Sequence, residues 1–333
     1  MPSPDLIRAL TDSSRPCFLF GCTPPRDGVT EVEARKICAA YAKRSAVLAT
    51  DGFVVYDIQD ESVRTSTERP FPFRKTMDAA TFASYFYPES GKRCVVYKAV
   101  HCEETPEAFD AWVNRAQTTF GHNAFTLVGA PSSSVVMSGG LTLMGALGRV
   151  SARKDGADCG CVAIAERHTK KGNEHENMLR KGEAGANWFI TQGIFDAFAV
   201  IKLVVEYGEL CRARKTQPRK VILTFAPCGR KKTLEFIRWL GMNVPEALEA
   251  RIFGAQNPVR ESLVALGEVL VAILEGTAGS GVPLGLNVES VSIVKEEIDA
   301  AHTLFQNLQA TLLNAWLPLG GALVLHQRGT AAG

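Results

Sequence analysis

A chain of 333 residues with 46% hydrophobic side chains can bury the core of one large α/β domain or of two ordinary ones. Its 37 basic and 35 acidic residues leave a net charge of +2, which excludes the broad field that nucleic acid or an anionic membrane would require and points to small-molecule chemistry. No apolar run reaches the roughly 18 to 20 residues of a membrane span. The opening MPSPDLIRALTDSSRP carries Asp5 and Asp12 and lacks both a secretory apolar core and the Arg-rich, acid-free character of a transit peptide, so the expectation is a cytoplasmic chain.

Eight short runs rich in β-branched and aromatic residues follow in order: 17–21, 52–58, 93–99, 124–130, 160–166, 187–192, 220–226 and 283–290. Helix-period segments fill the intervals, among them VTEVEARKICAAYAKR and TPEAFDAWVNRAQTTF, the second opened by Thr105 as cap and Pro106 in the first turn. Eight βα units without a G-x-G-x-x-G fingerprint predict a single-domain (β/α)8 TIM-type barrel rather than an open doubly wound sheet. The expected boundaries are a tail over 1–15, the barrel over 16–320 and a second tail over 321–333. Two departures stand out. The connection QDESVRTSTERPFPFRKT is long enough for a lid, and the segment between the seventh and eighth runs holds at least two helices.

A barrel places function at strand C-terminal ends and the loops after them. The polar residues there are Asp57, Gln59, Asp60 and Glu61 after the second strand, Lys98 and His101 at the third, and Glu166 and His168 after the fifth. Gln192 and Asp196 flank the end of the sixth, and Glu289 and Ser290 close the eighth. Glu289 interrupts the apolar run LGLNVESVSI, where a structural strand would carry another Val or Ile. Gln192 shares the two-residue strand period with Trp188 and Ile190; facing inward it can bind a flat heterocycle, facing outward it caps a helix. Arg69, Phe71, Phe73 and Arg74 suit an anionic aromatic ligand, or else a solvated loop anchored by two rings.

Metal chemistry is not expected. ERHTKKGNEHENM carries His168, Glu174, His175 and Glu176 without a recognised ligand spacing, and reads as a solvated loop entering a helix. The nine cysteines are odd in number and lie in apolar runs, so they are read as reduced core thiols, including the C-x-C pair Cys159 and Cys161. GAPSSSVVMSGG is a small-residue loop without a P-loop lysine.

The segment RKGEAGANWFITQGIFD, from Arg180 to Asp196, resembles the strand-six motif of methylenetetrahydrofolate reductases, with its Lys, Ala-Gly-Ala, Thr-Gln and aromatic-Asp. Pro24-Pro25-Arg26, Thr105-Pro106, Gly129, Glu166 with His168, and PCGRKKTLEFIRWLGMNVPEALEARIF follow in the matching order, over about residues 17 to 310. The resemblance implies a (β/α)8 barrel in which hydride passes from NADH or NADPH to 5,10-methylenetetrahydrofolate, in most members through flavin. It also implies that Gln192 binds the pterin; Arg69 and Glu61, read from the connection after strand two, are expected as further substrate contacts. Glu166, His168, Lys181 and Gly129 become cofactor-binding positions.

Departures at four positions make FAD doubtful: Val128 and Ala130 stand for the Arg and Asp of a flavin-addressing Arg-Gly-Asp, Lys98 replaces a histidine, and Ile164 replaces a tyrosine. ERPFPFRKTMDAATF and GVPLGLNVESVSI are closer to the flavin-independent branch. The family's general acid, three residues before the Pro-Pro, is Gly21 here. If the acid has moved, Glu289, Asp57 and Asp60 are its candidates, since strands eight and two flank strand one. The expected ligand is a small folate, with no nucleic acid or membrane partner and with homo-oligomerisation left open. The rival readings are a folate-binding barrel that has lost catalysis and acts as a partner or regulator, and a Schiff-base lyase using Lys98.

Overall fold

The structure, a computed structural model, describes residues 5–60, 67–100, 105–129 and 140–316. Glu61, His101, Ala130, most of GAPSSSVVMSGG and the 321–333 segment lie outside the described residues.

Strand β1 (Phe18–Cys22) leads to α2 (Glu31–Ser45), after a first helix α1 (Leu6–Thr11). β2 (Gly52–Val55) is followed by α3 (Ala79–Ala83) and α4 (Phe86–Ser90), β3 (Cys94–Ala99) by α5 (Pro106–Thr118), and β4 (Ala124–Val128) by α6 (Leu143–Ser151). β5 (Asp158–Ala163) precedes α7 (Ala165–Lys171) and α8 (Glu174–Glu183), and β6 (Ala186–Gly193) precedes α9 (Ala197–Ala213). After β7 (Lys220–Phe225) come α10 (Lys231–Trp239), α11 (Glu246–Gly254) and α12 (Pro258–Gly276); β8 (Leu284–Val288) and α13 (Lys295–Trp316) complete the set. All eight anticipated strands are present, and they close into one parallel barrel in sequence order.

The strands are apolar on both faces because helices cover the outside and side chains fill the inside. Leu19, Val54, Val95, Ala124, Trp188, Ile190 and Ile222 belong to the inner cluster. The Trp188 indole crosses to β4, donating from Nε1 to Thr126 Oγ1 at 3.1 Å. A Cβ on Gly160 would come within 2.4 Å of that ring, so the strand-five glycine makes room for it. Outside, Thr105 caps α5 as expected, its hydroxyl accepting from the Ala108 N–H at 3.2 Å. The eight cysteines among the described residues are free and buried, in keeping with their reading as core residues.

The N-terminal segment does more than a tail would. Asp5 caps α1, and Leu6, Ala9 and Leu10 pack into the inner cluster, so the helix plugs the N-terminal end of the barrel. The buried Lys220 fixes this plug, donating from Nζ to Ala9 O at 2.6 Å and Arg15 O at 2.9 Å. Lys220→Met strands both carbonyls and is expected to cost about 1–3 kcal/mol in chemical denaturation, without changing ligand affinity at the opposite end.

The long connection after β2 is tied at two places. Thr76 bridges Arg26, and backbone bonds join Asp27 N to Lys75 O at 2.9 Å and Met77 N to Pro25 O at 2.8 Å. Its other described end reaches α10: Trp239 Nε1 donates to Thr67 O at 3.0 Å, and the Phe71 and Phe236 rings lie 5.6 Å apart. The Pro24-Pro25-Arg26 turn therefore anchors a strap running between the loop after β1 and the helix after β7, both on the functional side of the barrel.

Candidate functional site

Strand register places the inner mouth. Leu19 pairs with Asn287, so Gly21, two residues further along β1, stands level with Glu289 just beyond β8. On the other flank Gly21 pairs with Val54, and Tyr56 is the next inward position. A Cβ on Gly21 would lie 2.6 Å from the Tyr56 hydroxyl oxygen and 2.8 Å from its Cε2. The space that a strand-one side chain would use is thus taken by a phenol from the neighbouring strand.

That phenol is wired to the acid. Asn287 Nδ2 donates to the Tyr56 hydroxyl at 2.8 Å and lies 3.2 Å from Thr224 Oγ1. The Tyr56 hydroxyl in turn acts on the neighbouring Glu289 carboxyl, favouring its ionised form. Desolvation pushes the Glu289 pKa up to about 7, only partly opposed by the hydrogen bond from Tyr56. Burial raises the Tyr56 and Tyr97 phenols well above their ordinary value, and both remain protonated. Their rings meet edge to face at 4.9 Å. Glu289 is half-buried at the mouth and poised to exchange a proton near neutrality.

Gln192 follows Trp188 and Ile190 on the strand period, and the pairing of β6 with β7 shifts register between Ile190 and Gly193. Its Nε2 donates to Leu240 O at 3.0 Å, while its Oε1 is buried without a protein donor among the described residues. Asn287 Oδ1 is in the same position. Two shielded amide oxygens suit a ligand that presents N–H groups. Asp57 is otherwise engaged: its Oδ2 accepts from Ala99 N at 2.8 Å and its Oδ1 from Gln59 Nε2 at 2.5 Å. It locks the ends of β2 and β3 together, and Asp60 lies exposed beyond it.

Beside the mouth, the strap, α7 and α10 enclose a cleft of about 1080 Å³. Arg69, Arg167, Lys170, Lys171, Lys232 and Arg238 line it, against Glu68, Glu166 and Glu235. Arg69 is stacked, its guanidinium carbon 4.8 Å from the Trp239 centroid and 5.4 Å from those of Phe73 and Phe236. Glu166 accepts from Asn243 N at 3.2 Å, and burial raises its pKa. The excess of cations suits an anionic ligand group.

Other expected contacts point elsewhere. His168 is fully buried, with Nε2 3.0 Å from Glu206 Oε2 on α9. Lys181 donates to Val162 O at 2.9 Å and pairs with the buried Glu174 at 3.2 Å. Lys98 faces outward, its Nζ 5.5 Å from the Trp112 centroid on α5, which removes it from the mouth and from the Schiff-base reading. Gly129 sits at the end of β4, where a Cβ would be 3.4 Å from the Leu143 side chain on α6. Ile164 lines the cleft. The segment carrying His168 and His175 was expected as a solvated loop entering a helix; the helix is present as α8, but the expected loop is itself helical, as α7.

Sequence reasoning passed over Tyr56 and Asn287. Both had a signal: Tyr56 follows Val54, and Asn287 precedes Glu289, by the strand period of two.

No protein-family model and no curated protein matches the chain. Among solved structures it is similar to an uncharacterized protein from Clostridium thermocellum that binds two copies of 5-methyl-5,6,7,8-tetrahydrofolic acid. The two share 26% identity and a TM-score of 0.77, over 92% of this chain and 99% of the other. The Leishmania donovani OMP decarboxylase matches at 10% identity and a TM-score of 0.48, over 92% and 99%. The protein is a single-domain TIM-type barrel with a similar barrel known to hold a reduced folate.

Proposed function

We propose that the chain binds a reduced folate at the barrel mouth and reduces 5,10-methylenetetrahydrofolate to 5-methyltetrahydrofolate, with NADH or NADPH as hydride donor and Glu289 as proton donor. The observation that carries this reading is the Tyr56 hydroxyl, standing where a strand-one side chain would be and joined to Glu289. The ligand of the similar Clostridium thermocellum protein, a methylated tetrahydrofolate, is the product of that reaction.

Reduction needs the five-membered ring of the substrate opened. Protonated Glu289 gives its proton to the departing ring nitrogen as the carbon–nitrogen bond breaks, and the methylene carbon becomes an iminium on the other nitrogen. Hydride from the dihydronicotinamide then adds to that carbon, leaving the methyl product and the oxidised nicotinamide, and Glu289 recovers its proton from solvent. Tyr56, itself held by Asn287, stabilises the ionised form of the carboxyl after transfer. Gln192 Oε1 and Asn287 Oδ1 are the acceptors offered to the pterin N–H groups.

Flavin is not part of the proposal. His168, Lys181 and Lys98, at the positions matched to flavin-contacting or mouth residues of the resembling family, turn toward Glu206, Glu174 and Trp112 instead. Direct transfer from the nicotinamide needs none of them.

The basic cleft suits the glutamyl carboxylates of the folate tail. Lys170→Glu with Lys171→Glu is expected to weaken binding of a polyglutamylated folate about 3- to 10-fold, by calorimetry at low salt, with a smaller loss at high salt. A second reading, a barrel that binds folate without turning it over, is favoured by Gly21 itself, since the family's acid is absent there. Titration of 5-methyltetrahydrofolate against tryptophan fluorescence tests the part common to both. Saturable binding weakened by Gln192→Ala supports it, and no binding at millimolar ligand removes both readings.

A further inference from the structure

Away from the mouth, three helices converge on a cluster that the proposed reaction does not use. His168 of α7, His175 of α8 and Glu206 of α9 each present one ligand atom, all within 4.8 Å of one another. His168 Nε2 is 3.0 Å and His175 Nδ1 3.9 Å from the same carboxylate oxygen, Glu206 Oε2. Tetrahedral zinc, with bonds of about 2.0–2.1 Å, holds its ligand atoms roughly 3.3–3.4 Å apart, so the widest pair has to draw together by up to about 1.4 Å, within reach of side-chain rotation.

A second observation points the same way. His168 is fully buried, yet neither of its ring nitrogens has a partner in hydrogen-bonding geometry among the described residues, and His175 Nδ1 is also without one. Unpaired buried imidazole nitrogens are costly, and they commonly mark an absent ligand. Glu206 is about one-third exposed, at 34%, leaving an open side for a fourth ligand such as water. Its other oxygen lies 4.0 Å from Lys202, an exposed cation that can swing away.

We propose that His168, His175 and Glu206 form a binding site for one divalent transition-metal ion, with Zn²⁺ the ion best suited to two imidazoles and a carboxylate. The ion ties α7 to α8 and α9. Because the preceding residues of α7, Glu166 and Arg167, line the cleft, it also fixes one wall of that cleft. The site is independent of the folate reading and stands if that reading fails.

The test uses the full chain, without an affinity tag and stripped with chelator. Zn²⁺ is titrated in competition with a chromophoric chelator, and Co²⁺ serves as a spectroscopic probe. One equivalent should bind per chain and raise the melting temperature, and the Co²⁺ complex should lack sulfur-to-cobalt charge transfer. His175→Ala and Glu206→Gln should each weaken Zn²⁺ binding by about 100-fold or more, beyond the range for a supporting residue. Both variants keep their metal-free melting temperature, because neither side chain is fully buried. Absence of stoichiometric binding, a thiolate spectrum, or unchanged affinity in both variants overturns the proposal.

Discussion

Glu289→Gln is expected to lower turnover of 5,10-methylenetetrahydrofolate by roughly 10² to 10⁴-fold with little change in KM, the loss typical of a general acid. The amide keeps the shape and can still accept from Tyr56, but it has no acidic proton to give. The pH dependence follows from the same carboxyl. With its pKa near 7, kcat/KM of the wild type falls about tenfold per pH unit above neutrality, and the variant loses that limb. Stability falls in the same direction. The folded state holds the Glu289 proton more tightly than the unfolded chain, whose carboxyl has the ordinary value of 4.5. The wild type is therefore relatively destabilised as pH rises from about 4.5 through 7. The variant should melt higher than wild type at pH ~8, and the difference should vanish below the ordinary carboxylate pKa. Melting curves across that range check the sign, and Asp57→Asn, which alters a residue bonded to Ala99, should not reproduce it.

Gly21→Ala is expected to cost about 1–3 kcal/mol, since the new methyl group enters the space of the Tyr56 phenol. The cost should fall in a Tyr56→Ala background, giving a coupling energy of about 1–3 kcal/mol in a double-mutant cycle. The activity pattern is the more telling readout. Displacing Tyr56 frees Glu289 from its donor, so the alkaline limb of the pH profile in Gly21→Ala should shift upward with the Glu289 pKa. An additive cycle together with an unmoved pH profile would mean that Tyr56 merely occupies the space.

The barrel was legible because each buried strand is short, apolar and separated from the next by helix-period sequence. Strand ends were placed within a few residues at every one of the eight positions. The plug was not, because six helical residues in α1 are stabilised by what they cover, which only the closed barrel supplies. Within the site, Glu289 was found because it interrupts an apolar run, and Gln192 from the strand period.

Lys98 shows the period being outvoted. Val95 belongs to the inner cluster and Tyr97 joins it, so Lys98 had to point outward, and the resemblance to a family histidine misdirected attention to it. His168 failed for a helical reason. With α7 beginning at Ala165, Glu166 and Arg167 face the cleft while the next position turns into the packing against α9. Gly21 was recognised as a missing acid, but its explanation required Tyr56, a residue just past a neighbouring strand that no local pattern connects to it.

The most direct test of a relocated acid is product analysis with flavin-free wild-type protein supplied with 5,10-methylenetetrahydrofolate and NADH or NADPH. The expected result is 5-methyltetrahydrofolate formed one for one with oxidised nicotinamide, at a rate that declines above neutral pH. Saturable binding of the folate with no methyl product under either cofactor would contradict it.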